Sequence, residues 1–106
     1  MERFDVIQAG FTGDAVLARA GLTHNEALVR ASALRALHRM GQLTSDDLSA
    51  CISDIDADVR RTVVELSAQF LDVEIYHLVN DTDLFVAEMT AWALDEQTTI
   101  TDVEIE

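Results

Sequence analysis

Glu26-Ala27-Leu28-Val29-Arg30, Asp56-Ala57-Asp58-Val59-Arg60 and Asp83-Leu84-Phe85-Val86-Ala87 are three versions of one phrase. In each, an acid sits three positions before a valine that opens an amphipathic run. The valines are 30 and 27 residues apart (59 − 29 and 86 − 59). A period in that range marks stacked units, each too small to bury its own apolar face.

With each valine counted as zero, positions 0, +4, +7, +8 and +11 trace one side of an α-helix. They hold Val29, Ala33, Ala36, Leu37 and Met40; then Val59, Val63, Leu66, Ser67 and Phe70; then Val86, Thr90, Ala93, Leu94 and Gln97. Only Ser67, Thr90 and Gln97 in this set are polar. The acid at −3 can cap the helix, because its carboxylate accepts from free backbone N–H groups in the first turn. A shorter helix precedes each long one, with Ala18, Gly21 and Leu22, then Leu48, Cys51 and Ile52, then Ile75, Leu78 and Val79 at −11, −8 and −7. Asp14, Thr44 with Asp47 three later, and Asp72 read as its caps. The expected architecture is all-α: helical hairpins over residues 13–42, 43–71 and 72–97, stacked as a short right-handed α-α superhelix. Phe4, Ile7 and Phe11 give residues 1–12 a helical face suited to covering the N-terminal end, and residues 98–106 form a tail or start a further repeat.

The second unit, Leu48-Ser49-Ala50-Cys51-Ile52-Ser53-Asp54-Ile55-Asp56-Ala57-Asp58-Val59-Arg60, resembles a HEAT repeat, in particular the short bacterial variety related to phycobilin lyases. In that family an acid at −5 and an arginine at +1 link turn and helix between neighbouring units. The resemblance assigns that structural role to Asp54 and Arg60, to Arg30 in the first unit and to Asp81 in the third. The first unit has His24 where the acid belongs, and the third has Ala87 in place of arginine. The proline frequent in these repeats is missing throughout.

Length and composition set the outer limits. At 106 residues the chain is one domain, and with 49% hydrophobic and 25% charged residues it is not a disordered polymer. Twenty acids against seven bases, all arginine, leave a net charge of −13. Such a surface repels phosphate backbones and anionic membranes, so neither nucleic acid nor a membrane is the expected partner. One cysteine, no signal-peptide pattern and no apolar run of spanning length make the cytoplasm the expected location.

No residue pattern asks for chemistry. Asp54, Asp56, Asp58 and Glu65 fall at the first, third, fifth and twelfth places of an EF-hand loop, but its sixth place, which needs glycine, is Val59. Acids gathering at a helix N-terminus explain that cluster more simply. His24, His38 and His77 lack metal-ligand spacing, and Cys51 holds an apolar position with no histidine near it in the register. We therefore expect no catalytic residue, metal or cofactor.

The third unit breaks the pattern elsewhere. At −1, +3 and +6 it has Phe85, Met89 and Trp92, where the first unit has Leu28, Ser32 and Arg35 and the second Asp58, Thr62 and Glu65. This apolar flank lies off the core face. Three covers fit it: the tail through Ile100, Val103 and Ile105, a following repeat opened by Thr101-Asp102-Val103-Glu104, or another molecule, including a second copy. The expected function is a non-catalytic scaffold that presents an acidic helical-repeat surface to a protein or peptide, preferably a basic one. Asp54, Asp56, Glu65, Asp81, Asp83 and Glu88 would supply that attraction, and Phe85, Met89 and Trp92 the contact. The repeat style also leaves a phycobilin-lyase-like enzyme or subunit as an alternative, although only six residues are aromatic. A DNA-binding HEAT-like protein is a weaker one, since that fold uses a basic groove.

Overall fold

The computed structural model describes residues 3–105, and the side chains of all of these but 6, 9–12 and 97–105. Six α-helices follow in order: α1 (Arg3–Thr12), α2 (Ala15–Ala20), α3 (Ala27–Arg39), α4 (Ser45–Cys51), α5 (Ala57–Leu66) and α6 (Leu84–Ile105). Short 3-10 turns lie at Gly21–Thr23, Ser67–Gln69 and Tyr76–Asn80. Among the described residues there is no strand.

Each long helix packs on the short element before it: α3 on α2, α5 on α4, and α6 on the Tyr76–Asn80 turn. The long helices also pack on one another in chain order, α3 on α5 and α5 on α6, and α1 lies against α3 on the other side. The molecule is a slab of 45 × 31 × 17 Å. Its core is the face read from the valines. Val29, Ala33, Ala36 and Leu37, then Val59, Val63, Leu66 and Ser67, then Val86 and Thr90 are buried. The short elements contribute Ala18, Leu48, Cys51, Ile75 and Leu78. The two buried polar residues of that face satisfy themselves locally: Ser67 Oγ donates to the Val64 carbonyl at 2.7 Å and Thr90 Oγ1 to the Val86 carbonyl at 2.7 Å. A buried hydroxyl bonded back to its own helix avoids the desolvation cost that an unpaired one carries.

Two starts match the expected caps. Asp14 accepts from the Leu17 N–H, and Thr44 with Asp47 forms a reciprocal capping box. The third short element is different. It is a 3-10 turn, not an α-helix, and Asp72 does not cap it; Asp72 instead accepts a hydrogen bond from Ser45 Oγ, while Glu74 accepts from the Tyr76 N–H. The element runs only five residues, Tyr76–Asn80, too few for stable α-helical turns of their own. At the N-terminus α1 lies against α3, with the Phe4 side chain exposed and Ile7 beside Ser32, Arg35 and Ala36. The side chain of Phe11 lies outside the described residues, as do those of Gln97, Ile100, Val103 and Ile105. The backbone of residues 98–105 continues α6 without the turn or fresh helix start considered at Thr101.

Candidate functional site

The residues that the repeat pattern marked at −5 and +1 meet across neighbouring units. Arg30 donates through Nε to Asp54 Oδ2 at 2.8 Å and through Nη2 to Asp54 Oδ1 at 2.9 Å, while its Nη1 donates to the His24 carbonyl at 2.9 Å. One unit on, Arg60 repeats the arrangement with Asp81 Oδ2 at 2.7 Å, Asp81 Oδ1 at 2.9 Å and the Asp54 carbonyl at 2.8 Å. Both pairs are largely withdrawn from solvent. A two-pronged guanidinium–carboxylate fork fixes orientation as well as distance. Burial works against the Asp54 carboxylate, yet Arg30 and the Asp56 backbone N–H outweigh it and hold its pKa below the ordinary value. At Asp81 the Arg60 hydrogen bonds dominate and lower the pKa in the same direction.

The same carboxylates shape the turn before each long helix. Asp54 Oδ1 accepts from the Asp56 N–H at 2.9 Å, and Asp81 Oδ1 from the Asp83 N–H at 2.8 Å. In the first unit His24 Nδ1 takes over that task, accepting from the Glu26 N–H at 3.0 Å. Capping by the acid at −3 is uneven. Asp56 accepts from the Asp58 and Val59 N–H groups and Asp83 from the Val86 N–H, whereas Glu26 makes no side-chain cap. The extra methylene of glutamate makes it a poorer cap than aspartate.

These bonds change the candidate acidic surface. Asp54 and Asp81 are committed to the inter-unit forks, and Asp56 and Asp83 to helix starts, so the turn acids are structural groups before they are attractors. Glu65 and Glu88 are exposed, and Glu65 pairs with Arg35 at 2.7 Å on the outside of α3 and α5. Asp58, the remaining acid of the EF-hand-like series, pairs with Arg61 at 2.8 Å. Among the described residues no group of acids, histidines or cysteines is gathered to hold a metal ion. The buried Cys51 thiol is pushed up to about 11, chiefly by desolvation.

Phe85, Met89 and Trp92 come together with residues of α5. They line an open groove of about 480 Å³ between α5 and α6, with Val64, Ala68 and Ala93 adding to its apolar wall and Glu65, Glu88 and Glu96 on its rim. Phe85 is 58% and Trp92 70% exposed, unusual values for large apolar side chains that stand side by side. The Arg61 guanidinium lies 5.4 Å from the Phe85 ring centroid. Sequence reasoning found the α6 half of this site. It missed the α5 half, whose signal was weak: Val64, at +5, falls outside the core offsets, and Glu65 was read as a surface acid and as the polar counterpart of Trp92 at +6.

Other links hold the remaining elements. Arg19 pairs with Asp47 at 2.8 Å and donates to the Gln42 carbonyl, tying α2 to α4. Arg3 donates to Ser32 Oγ, tying α1 to α3. Comparison with protein-family models, curated proteins and solved structures gives no match. Among the described residues no helix is long and apolar enough to cross a membrane.

Proposed function

We propose that this chain is a non-catalytic, cytoplasmic protein-interaction module, built as a short right-handed stack of three HEAT-like helical hairpins. The alternation of short element and long helix supports the stack, as do the two Arg–Asp forks at equivalent places. The observation that carries the function is the α5–α6 groove: an apolar trough, open to solvent, with three glutamates on its rim. Aromatic and methionine side chains are the types enriched where protein surfaces meet. The rim favours a basic partner, and that attraction weakens with salt.

The arginines support this ranking over nucleic acid. Five of the seven, Arg19, Arg30, Arg35, Arg60 and Arg61, pair with carboxylates within the chain, which reduces the positive charge offered to phosphates. The test is affinity capture from the source lysate with the native chain beside a Phe85→Ala, Trp92→Ala variant. Proteins retained by the native chain and lost by the variant are the expected result. Equal capture by both would reassign the stripe to the chain's own packing and sink the proposal.

A further inference from the structure

We propose that the groove between α5 and α6 receives an amphipathic helix of another protein, with lysine or arginine flanking its apolar face; this rests on the interaction reading above. Backbone chemistry favours the helix. The two walls are helices whose own N–H and C=O groups are already bonded along their axes, so they offer no edge to an extended strand. A segment entering an apolar trough must then satisfy its backbone internally, which a helix does. The trough also has the length for one. From Phe85 to Glu96 the α6 axis rises about 16 Å, the height of three helical turns, enough for anchors at i, i+4 and i+7.

Charge chooses the partner. Glu88 and Glu96 have no ion-pair partner among the described residues, and Glu65 is half exposed in its pair with Arg35. Arg61, which lies over the Phe85 ring, is already held by Asp58. A second copy is a poor occupant, since each molecule brings a net charge of −13. A cationic helix meets the free rim carboxylates instead.

Trp92 is the only tryptophan and 70% exposed, so its emission reports the groove directly. The probe is a synthetic peptide of about four helical turns with leucines at i, i+4, i+7 and i+11 and lysines beside them. One comparison peptide carries glutamate for lysine and another a central proline. The lysine helix should shift Trp92 emission to shorter wavelength, saturably, and at least tenfold more tightly than either comparison. Added salt and the Glu88→Gln, Glu96→Gln variant should weaken it, the variant by about threefold to tenfold. Equal binding of the glutamate peptide would overturn the charge argument, and equal binding of the proline peptide the helix argument. An emission shift with protein concentration alone, accompanied by doubled mass in light scattering, would assign the groove to a second copy and overturn the proposal. So would no saturable shift with the lysine helix. If that occurs while lysate capture still depends on Phe85 and Trp92, the interaction reading stands and only the helical occupant falls.

Discussion

Cutting the Arg60–Asp81 fork is the sharpest test of what ties α5 to the turn before α6. In the Arg60–Asp81 pair the side chains are 14% and 6% exposed, and the carboxylate accepts two bonds from Arg60 and one from the Asp83 N–H. Asp81→Ala strands a buried guanidinium, a loss of about 3–5 kcal/mol when one partner of a buried pair is removed. Arg60 keeps its 2.8 Å bond to the Asp54 carbonyl, which places the charge term near the lower end. The orphaned Asp83 N–H adds about 1 kcal/mol. We therefore expect about 4 kcal/mol, a large share of the ~5–15 kcal/mol that holds a domain folded. Asp81→Asn keeps an acceptor for the turn and loses the charge, so it should cost about 2 kcal/mol.

The assay is urea unfolding followed by circular dichroism, with Arg35→Ala as reference. The Arg35–Glu65 pair is about half exposed on both sides, and its loss should cost less than about 1 kcal/mol. In Arg60→Met, Asp81→Ala no charge is left stranded, so the double variant should be more stable than the sum of the single losses predicts, by about 1.5 kcal/mol or more. Asp81→Ala within about 1 kcal/mol of the native chain would refute the reasoning, as would strict additivity of the two losses.

Acid should loosen the same joints. The carboxyls of Asp47, Asp54 and Asp81 sit below their ordinary pKa in the folded chain, so their contribution is complete above the unfolded value of about 3.9 and disappears as pH falls through the folded values. The urea midpoint should drop on acidification below about pH 4, and less steeply in Asp54→Asn; an unchanged slope in that variant would exclude Asp54 as a source. Cys51, buried and raised to about 11, should resist thiol reagents at pH 8 until urea unfolds the chain, and rapid labelling of the native protein would contradict its placement. His24→Ala should cost about 1 kcal/mol through the lost acceptor for the Glu26 N–H, with His24→Asp restoring most of it; equal losses in both would show that the acceptor does not matter.

The valine register made the core legible because helical periodicity follows directly from which side chains avoid water. Val29, Val59 and Val86 are all buried, with the residues four positions on. The register could not separate an α-helix from a 3-10 turn at Tyr76–Asn80, since both place Ile75 and Leu78 on one side. Nor could it tell a surface acid from a structural one. Asp54 and Asp56 are the same residue type two positions apart, yet one closes a fork with Arg30 and the other caps α5. That distinction depends on where the preceding unit's arginine arrives, which is a tertiary fact.

The two exceptions to the Arg–Asp pattern fall at its two ends. A rung needs an arginine on one long helix and an aspartate in the following turn. At position 24, in the first unit, His24 accepts from the Glu26 N–H through an imidazole nitrogen, the task that a carboxylate performs at positions 54 and 81. On α6 the residue at +1 is Ala87, which has no guanidinium to offer, so a further hairpin would have to dock without this rung. The groove has a similar origin one face over. At +6, Arg35 and Glu65 clasp α3 to α5. The next residue in that series is Trp92, which cannot clasp, and Glu65 already faces Arg35. The α5–α6 seam therefore stays open at the one point where the ion-pair series runs out, and the side chains left along it are apolar.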